Sequence, residues 1–289
     1  MPLPRRRRTD FEVLFEDPVH LRPFLDELPQ APGVYVFHGE AGDLPLYIGK
    51  SVNVRQRVLS HLRTTDEARM LRQSRRISHI RTAGEIGALL LEARMIKEQH
   101  PLFNQKLRRT KQLYALQCQG DTLQIVHTTE LDFARTPELY GLYASRHAAI
   151  EGLRSLADAQ RLCWGLLGLE KRKPGTPCFR AMLQQCAGAC CGRESVQAHQ
   201  ARLHEALQAW RLVVWPYAGA VGLVERDGDF TQIHVVNHWC YLGSAATLAQ
   251  ARALATPSAA FDADGYKILC KPLLTGALEV VDLSTDPGV

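Results

Sequence analysis

A chain of 289 residues with 46% hydrophobic and 22% charged side chains can bury one large core or two to three small ones, which excludes a disordered, fibrous or minimal disulfide-stapled protein. The net charge of +5 is unevenly spread: residues 1–110 carry +6, 111–145 carry −2, 146–211 carry +5 and 212–289 carry −4. Two basic stretches alternating with acidic ones suit a polyanionic partner for the basic parts.

Residues 1–28 read as an N-terminal tail. The four arginines at 5–8 have the charge of a signal n-region but run into Thr9, Asp10, Phe11 and Glu12 in place of an apolar stretch. Nowhere do about 18 uninterrupted apolar residues occur, so a cytoplasmic protein with reduced cysteines is expected. Residues 33–37 are β-branched and aromatic, 40–43 carry turn chemistry and 44–49 form a second apolar run, together predicting a β-hairpin. Val54, Val58, Leu59 and Leu62 then recur at helical spacing among Arg55, Arg57 and Arg63. A third strand is expected over 77–82. Thr82 and Glu85 have the spacing of a capping box opening a helix through Ile86, Leu89, Leu90, Ala93 and Ile96, with Glu92 at the edge of its apolar face. Beyond a basic run at 106–109 the pattern predicts strands at 112–117, 122–128 and 141–144, a helix over 146–162, a Cys-rich loop and a helix over 194–214. Strands at 220–225, 232–236, 266–269 and 278–281 and a helix near 245–255 complete the chain. Boundaries fall near 110 and 215, giving units 29–109, 110–214 and 215–289.

Gly33-Val34-Tyr35, then Tyr47-Ile48-Gly49-Lys50, then Arg57 and His61 on a helix, Glu92 on the next and Asn104 after its Pro101 end, form one constellation that resembles the GIY-YIG nuclease domain. Phosphodiester cleavage needs a nucleophilic water, a base and positive charge for the phosphorane and the leaving oxygen. Tyrosine, with an ordinary pKa of about 10, serves as that base only where cations favour the phenolate, and Lys50 and Arg57 are the nearby cations. Glu92 is the one carboxylate of the set, enough to hold a single Mg²⁺ or Mn²⁺ together with waters and phosphate oxygens.

These residues resemble the GIY-YIG nuclease family. The resemblance implies an α+β domain, a small mixed sheet flanked by helices, with Tyr35, Tyr47, Lys50, Arg57, His61, Glu92 and Asn104 as its functional positions. Tyr47 is read as the base with Tyr35 close behind, Arg57 as neutralising the scissile phosphate, His61 as bonding a phosphate oxygen or moving a proton, and Asn104 as orienting the site. The family often has tyrosine where this chain has His61. Arg63, Arg69, Arg72, Arg75, Arg76 and Arg81 are expected to position the DNA backbone.

Cys163, Cys178, Cys186 and Cys190, spaced C-x14-C-x7-C-x3-C, can close a tetrahedral zinc site or hold a [4Fe–4S] cluster; they can equally be four reduced buried cysteines. Their arrangement resembles the segment after the nuclease domain in UvrC-type excision-repair nucleases, which implies the iron–sulfur cluster, with zinc as the alternative. The same resemblance implies a single incision 3′ to a bulky lesion in double-stranded DNA already loaded with UvrB by UvrA. About a hundred residues follow the cysteines, too few for a second, RNase H-like nuclease and helix–hairpin–helix modules. Two other readings stand beside it: a free-standing structure-specific endonuclease, and a non-catalytic DNA-binding adaptor on a retired nuclease fold.

Overall fold

The expected hairpin forms from β1, Gly33–His38, and β2, Pro45–Ser51, with Tyr35 opposite Gly49 and Phe37 opposite Tyr47. The structure, a computed structural model, describes residues 18–40, 44–104, 112–120, 122–171, 173, 176–255 and 260–283. The arginines at 5–8, most of the turn at 40–43, the basic run at 106–109 and Arg172 lie outside the described residues. β3, Arg76–Arg81, pairs with the other side of β1, so the order is β2-β1-β3. Both neighbouring pairs are antiparallel where the resemblance implies a mixed sheet; β2 and β3 run the same way, but β1 keeps them apart.

β1 is buried at every position, so its side chains alternate between two cores instead of between core and water. Tyr35 and Phe37 pack with Val54, Val58 and Leu62 of α1, Val54–Leu62, and with Met70 and Leu71 of α2, Ala68–Gln73. Val34 and Val36 pack with Ile48 and with Met95 and Ile96 of α3, Glu85–Gln99. Part of the span 1–28 expected as a tail is packed: a 3₁₀ helix over Val19–Leu25 buries Leu21, and Phe24, Leu25 and Leu28 join it in the first of these cores.

β4 (Tyr114–Gln119), β5 (Thr122–His127) and β6 (Leu139–Tyr143) form a second sheet, order β5-β4-β6. Leu116 and Tyr140 of that sheet pack with Leu153 and Leu156 of α4, Arg146–Ala159, and Leu203 and Leu207 of α6, Val196–Gln208. Between those helices lies the Cys-rich stretch with the short α5, Phe179–Met182. α6 stops short of 214 because the following residues turn back along β6: Gly141 donates to the Trp210 carbonyl at 2.6 Å and Leu212 to that of Leu139 at 2.8 Å.

The C-terminal segment holds β7 (Val221–Asp227), β8 (Phe230–Asn237), β9 (Cys240–Ala245), α7 (Leu248–Leu254), α8 (Ala263–Leu274) and β10 (Glu279–Asp282), its sheet ordered β10-β7-β8-β9. Residues 266–269, expected as a strand, belong to α8. Asp262 caps it by accepting from the Asp264 amide, and the buried Leu269 and Leu273 are one helical turn apart. β9 was not foreseen. The chain divides into two units, residues 1–109 with 224–234 and 243–248, and the remainder. No helix among the described residues is long and apolar enough to cross a membrane.

Candidate active site

β1, β2 and α1 bring Tyr35, Tyr47 and His61 into one aromatic cluster. Ring centroids lie 6.3 Å apart for the two tyrosines, 5.4 Å for Tyr35 and His61, and 5.5 Å for Tyr47 and His61. The Tyr35 hydroxyl and His61 Nε2 are 2.6 Å apart, and His61 Nδ1 is hydrogen-bonded to the Glu67 carboxylate. A carboxylate only accepts, so Nδ1 carries the proton and Nε2 accepts from Tyr35. His61 is 2% exposed, with both ring nitrogens turned inward.

Burial pushes the Tyr35 phenol well above its ordinary range, the neighbouring Tyr47 adds to this, and hydrogen bonding and charge from Arg57 oppose it. Tyr47 is also raised, by burial and then by Glu92 and Glu67, with Tyr35 and Arg57 pulling the other way. Arg57, one turn before His61 on α1, is itself raised by its hydrogen bond to Tyr35. Either tyrosine therefore requires added positive charge to become a base near neutral pH.

Gly49 makes this crowding possible. A Cβ there would lie 2.3 Å from the Tyr35 hydroxyl oxygen and 2.9 Å from Tyr47 Cε1. The bare backbone leaves room for both rings. Asn104 holds the same strand: its Oδ1 accepts from the Ile48 amide at 2.9 Å and its Nδ2 donates to the Ile48 carbonyl at 2.8 Å. It staples β2 through both backbone groups of Ile48.

From α3, Glu92 Oε1 accepts from the Lys50 amide at 3.1 Å. Burial raises Glu92 above the usual carboxylate range, and the Lys50 amide and charge offset part of this. The Lys50 ammonium itself pairs with Glu85 at 2.6 Å. A half-buried carboxylate beside phenolic hydroxyls fits a hard divalent cation, which would relieve the burial that pushes it toward protonation.

The capping box expected from Thr82 and Glu85 does not form. Thr82 Oγ1 donates to the Gly84 carbonyl, Gly84 is the N-cap, and Glu85 begins the helix. The exposed amides at the start of α3 are satisfied by Glu225 of β7: Ile86 donates to Oε1 at 3.0 Å and Gly87 to Oε2 at 2.7 Å. Glu225 also bonds the fully buried His234 at 2.9 Å, whose other nitrogen lies 2.7 Å from Ser244 Oγ. Burial alone would raise Glu225, but His234 and the two amides more than offset it and hold the carboxyl below its usual range. Of the arginines expected on DNA, Arg81 pairs with Asp227 at 2.6 Å and lies over Phe230, while Arg75 donates to the Arg72 and Ser74 carbonyls.

The four cysteines converge as well. The Sγ atoms of Cys163 and Cys178 are 3.6 Å apart, those of Cys178 and Cys186 3.9 Å, and Cys190 Sγ accepts from the Cys178 amide at 3.3 Å. Cys163, Cys178 and Cys186 keep their sulfurs within 4.8 Å of one another. Burial raises Cys163, Cys186 and Cys190, the last to about 12. For Cys178 burial is outweighed by the Ala181 and Gly165 amides and its thiol neighbours, so that thiol is lowered. Buried His199 accepts from the Cys163 amide at 3.0 Å. The sulfurs are disposed to hold a metal.

Sequence reasoning missed Glu67, Glu225 and His234, and gave Glu85 only a capping role. Glu67 lies past the end of α1, in the 3₁₀ turn Thr65–Glu67, where no helical spacing ties it to His61. Glu225 is 139 residues from the amide it caps. Glu85 alone carried a signal, as an acidic residue in a first helical turn, and that signal served the capping box.

Three family models span the chain: a UvrC-like GIY-YIG domain over residues 31–105, the middle domain of the UvrC/Cho excinucleases over 114–209 and the excinuclease Cho C-terminal domain over 220–287. The excinuclease cho of Escherichia coli K12 is 57% identical over 283 residues, covering 97% of this chain and 95% of the relative. That of Salmonella typhimurium is 56% identical over 281 residues, 96% of each. The UvrABC system protein C of Citrifermentans bemidjiense is 32% identical over 192 residues, 63% of this chain and 30% of that one. Among solved structures, the magnesium-bound GIY-YIG N-terminal endonuclease domain of UvrC from Thermotoga maritima is 30% identical, covers 29% of this chain and 93% of its own, and has a TM-score of 0.27. By these family models and relatives, the chain belongs to the excinuclease Cho family, UvrC-like GIY-YIG endonucleases that incise DNA in repair.

Proposed function

We propose that this excinuclease, acting in the cytoplasm, makes one incision 3′ to a bulky lesion in double-stranded DNA that UvrA has loaded with UvrB, and that a tyrosine is the base. The convergence of Tyr35, Tyr47, Arg57, His61 and Glu92 beside Gly49 carries this reading. Residues 29–109 would do the chemistry, 110–214 the metal binding by the cysteines, and 215–289 would complete the chain as its C-terminal unit. Glu92 would hold one Mg²⁺ or Mn²⁺, which when bound supplies positive charge to the developing oxyanion. Tyr47, less buried than Tyr35, takes the proton of the attacking water. Arg57 neutralises the scissile phosphate and favours the phenolate, and Lys50 leaves Glu85 for a phosphate oxygen. Asn104 keeps β2 in place throughout.

The test is incision of an end-labelled duplex bearing one bulky adduct, with and without UvrA and UvrB, comparing wild type with Glu92→Ala. A single 3′-side nick that needs UvrB and Glu92 is expected; cutting that ignores lesion and UvrB would give the structure-specific reading instead. In the same assay Gly49→Ala is expected to cut at least about tenfold more slowly, because its methyl group displaces the Tyr35 hydroxyl and a small misplacement of catalytic groups is costly. An unchanged rate would mean that the rings shift without consequence.

For Cys163, Cys178, Cys186 and Cys190 we take the [4Fe–4S] cluster as the first reading. Zinc is the second, and the sulfur separations of 3.6 and 3.9 Å favour it, because thiolates bound at about 2.3 Å around one tetrahedral ion stand roughly 3.8 Å apart. Visible absorption of anaerobically purified protein reports the cluster, and metal analysis with one zinc per chain would replace it.

A further inference from the structure

Both ring nitrogens of His61 are engaged within the protein, which leaves neither for substrate. Nε2 accepts from Tyr35 at 2.6 Å, and Nδ1–H is committed to Glu67. The groups that face it are Tyr35 on β1, Tyr47 on β2, the apolar Phe37 and Glu67 beyond the end of its own helix, with Arg57 one turn earlier on α1. These contacts make a continuous phenol–imidazole–carboxylate chain.

We propose that His61 and Glu67 together accept the proton that the tyrosine pair must lose before it can act as a base, with Glu67 as the positioning residue. This rests on the reading that a tyrosine is the base. Imidazole is a weaker base than phenolate, so moving a proton from tyrosine to histidine is uphill unless the imidazolium is neutralised where it forms. Glu67 provides the neutralising charge and fixes the tautomer that leaves Nε2 open. The transfer balances. Tyr47 passes its proton to the Tyr35 oxygen while Tyr35 passes its own to His61 Nε2, leaving Tyr47 as phenolate, Tyr35 neutral and His61 as imidazolium paired with Glu67. Water then gives a proton to Tyr47 as its oxygen bonds to phosphorus, the P–O3′ bond breaks, the leaving oxygen takes a proton from solvent, and His61 returns one to solvent.

The test uses the full chain on the UvrA/UvrB-loaded adduct duplex, in single-turnover incision measured between about pH 6 and 9, with complex formation followed separately. Glu67→Gln, which keeps an acceptor for Nδ1–H without the charge, is expected to slow the chemical step about 10²-fold at neutral pH. Its rate should climb more steeply with pH than wild type, because hydroxide must now remove the tyrosine proton; complex formation should be unchanged. Glu67→Asp should restore most of the rate. A wild-type rate and profile in Glu67→Gln would overturn the proposal. So would a uniform loss at every pH, with a lowered melting temperature and no rescue by Asp, which marks a merely structural carboxylate. Tyr47→Phe separates the two levels: if it cuts normally while Glu67→Gln does not, Tyr47 is not the base and the relay serves Tyr35. If it is inactive while Glu67→Gln is normal, the base reading stands and the relay fails.

Discussion

Glu92→Gln should give a protein that is as stable as wild type or more so, binds its DNA complex, and incises it at least about 10³-fold more slowly. The two halves of this result share one cause. Glu92 is a carboxylate whose burial raises it above its usual range, so in the folded chain at neutral pH its charge is held against the preference of its surroundings. For an acid with a raised folded value, the charged form is the destabilising one, and the neutral amide removes that cost. The amide can still accept from Lys50 through Oε1, so the local backbone should stay in place. What disappears is the charge that, in the proposed reaction, would hold the cation. Thermal unfolding alongside single-turnover incision checks both halves. A large fall in melting temperature, or cutting within tenfold of wild type, would remove Glu92 from the chemistry.

Glu225→Ala should cost about 3 to 5 kcal/mol of stability. The methyl group leaves the Ile86 and Gly87 amides without their acceptor and a fully buried His234 without its carboxylate. An opposite charge at a helix N-terminus is lost with them. Water cannot easily step in, because Gly84 and Gly87 lie hard against these side chains: a Cβ on Gly84 would come within 2.2 Å of Glu225 and one on Gly87 within 2.3 Å of His234. The pH dependence has a definite sign. Glu225 is held below its ordinary value of 4.5, so its contribution is complete above about that pH and fades as the medium is acidified through the lower folded value. Denaturant unfolding of wild type and variant at neutral pH and at about pH 3 checks this: the gap between them should narrow in acid. Equal midpoints at neutral pH would show that solvent caps α3 as well as Glu225 does.

The side chains that converge around Tyr35 were legible as a group because they lie on short segments whose spacing the backbone preserves. Tyr35 and Tyr47 fall on adjacent strands of one hairpin, and Arg57 and His61 lie one turn apart on one helix. Partners supplied by tertiary contact were not legible. Glu67 meets His61 only because the chain turns into a 3₁₀ helix after Leu62. The Thr82–Glu85 spacing pointed to a local cap, and a carboxylate 139 residues away took its place. Residues 266–269 form an apolar run short enough for a strand, and only with Asp262 and Leu273 in view does the helical period emerge. Trp210 and Leu212 extend the apolar pattern of α6, yet backbone pairing to β6 draws them out of the helix.

The alternation of β1 between two cores has a consequence for how the nuclease can vary. Tyr35, with His61 and Glu67, sits on the α1 side, whereas Glu92 and its helix sit on the α3 side, and each set rests on its own layer of apolar packing. A change in the packing beneath α1, around Val58, bears first on the acidity of the tyrosines. One beneath α3, around Met95 and Ile96, bears first on the helix that carries Glu92. The two sets still meet at Tyr47, whose hydroxyl feels the Glu92 charge from one side and Arg57 from the other, so packing changed beneath either helix is felt by the same phenol.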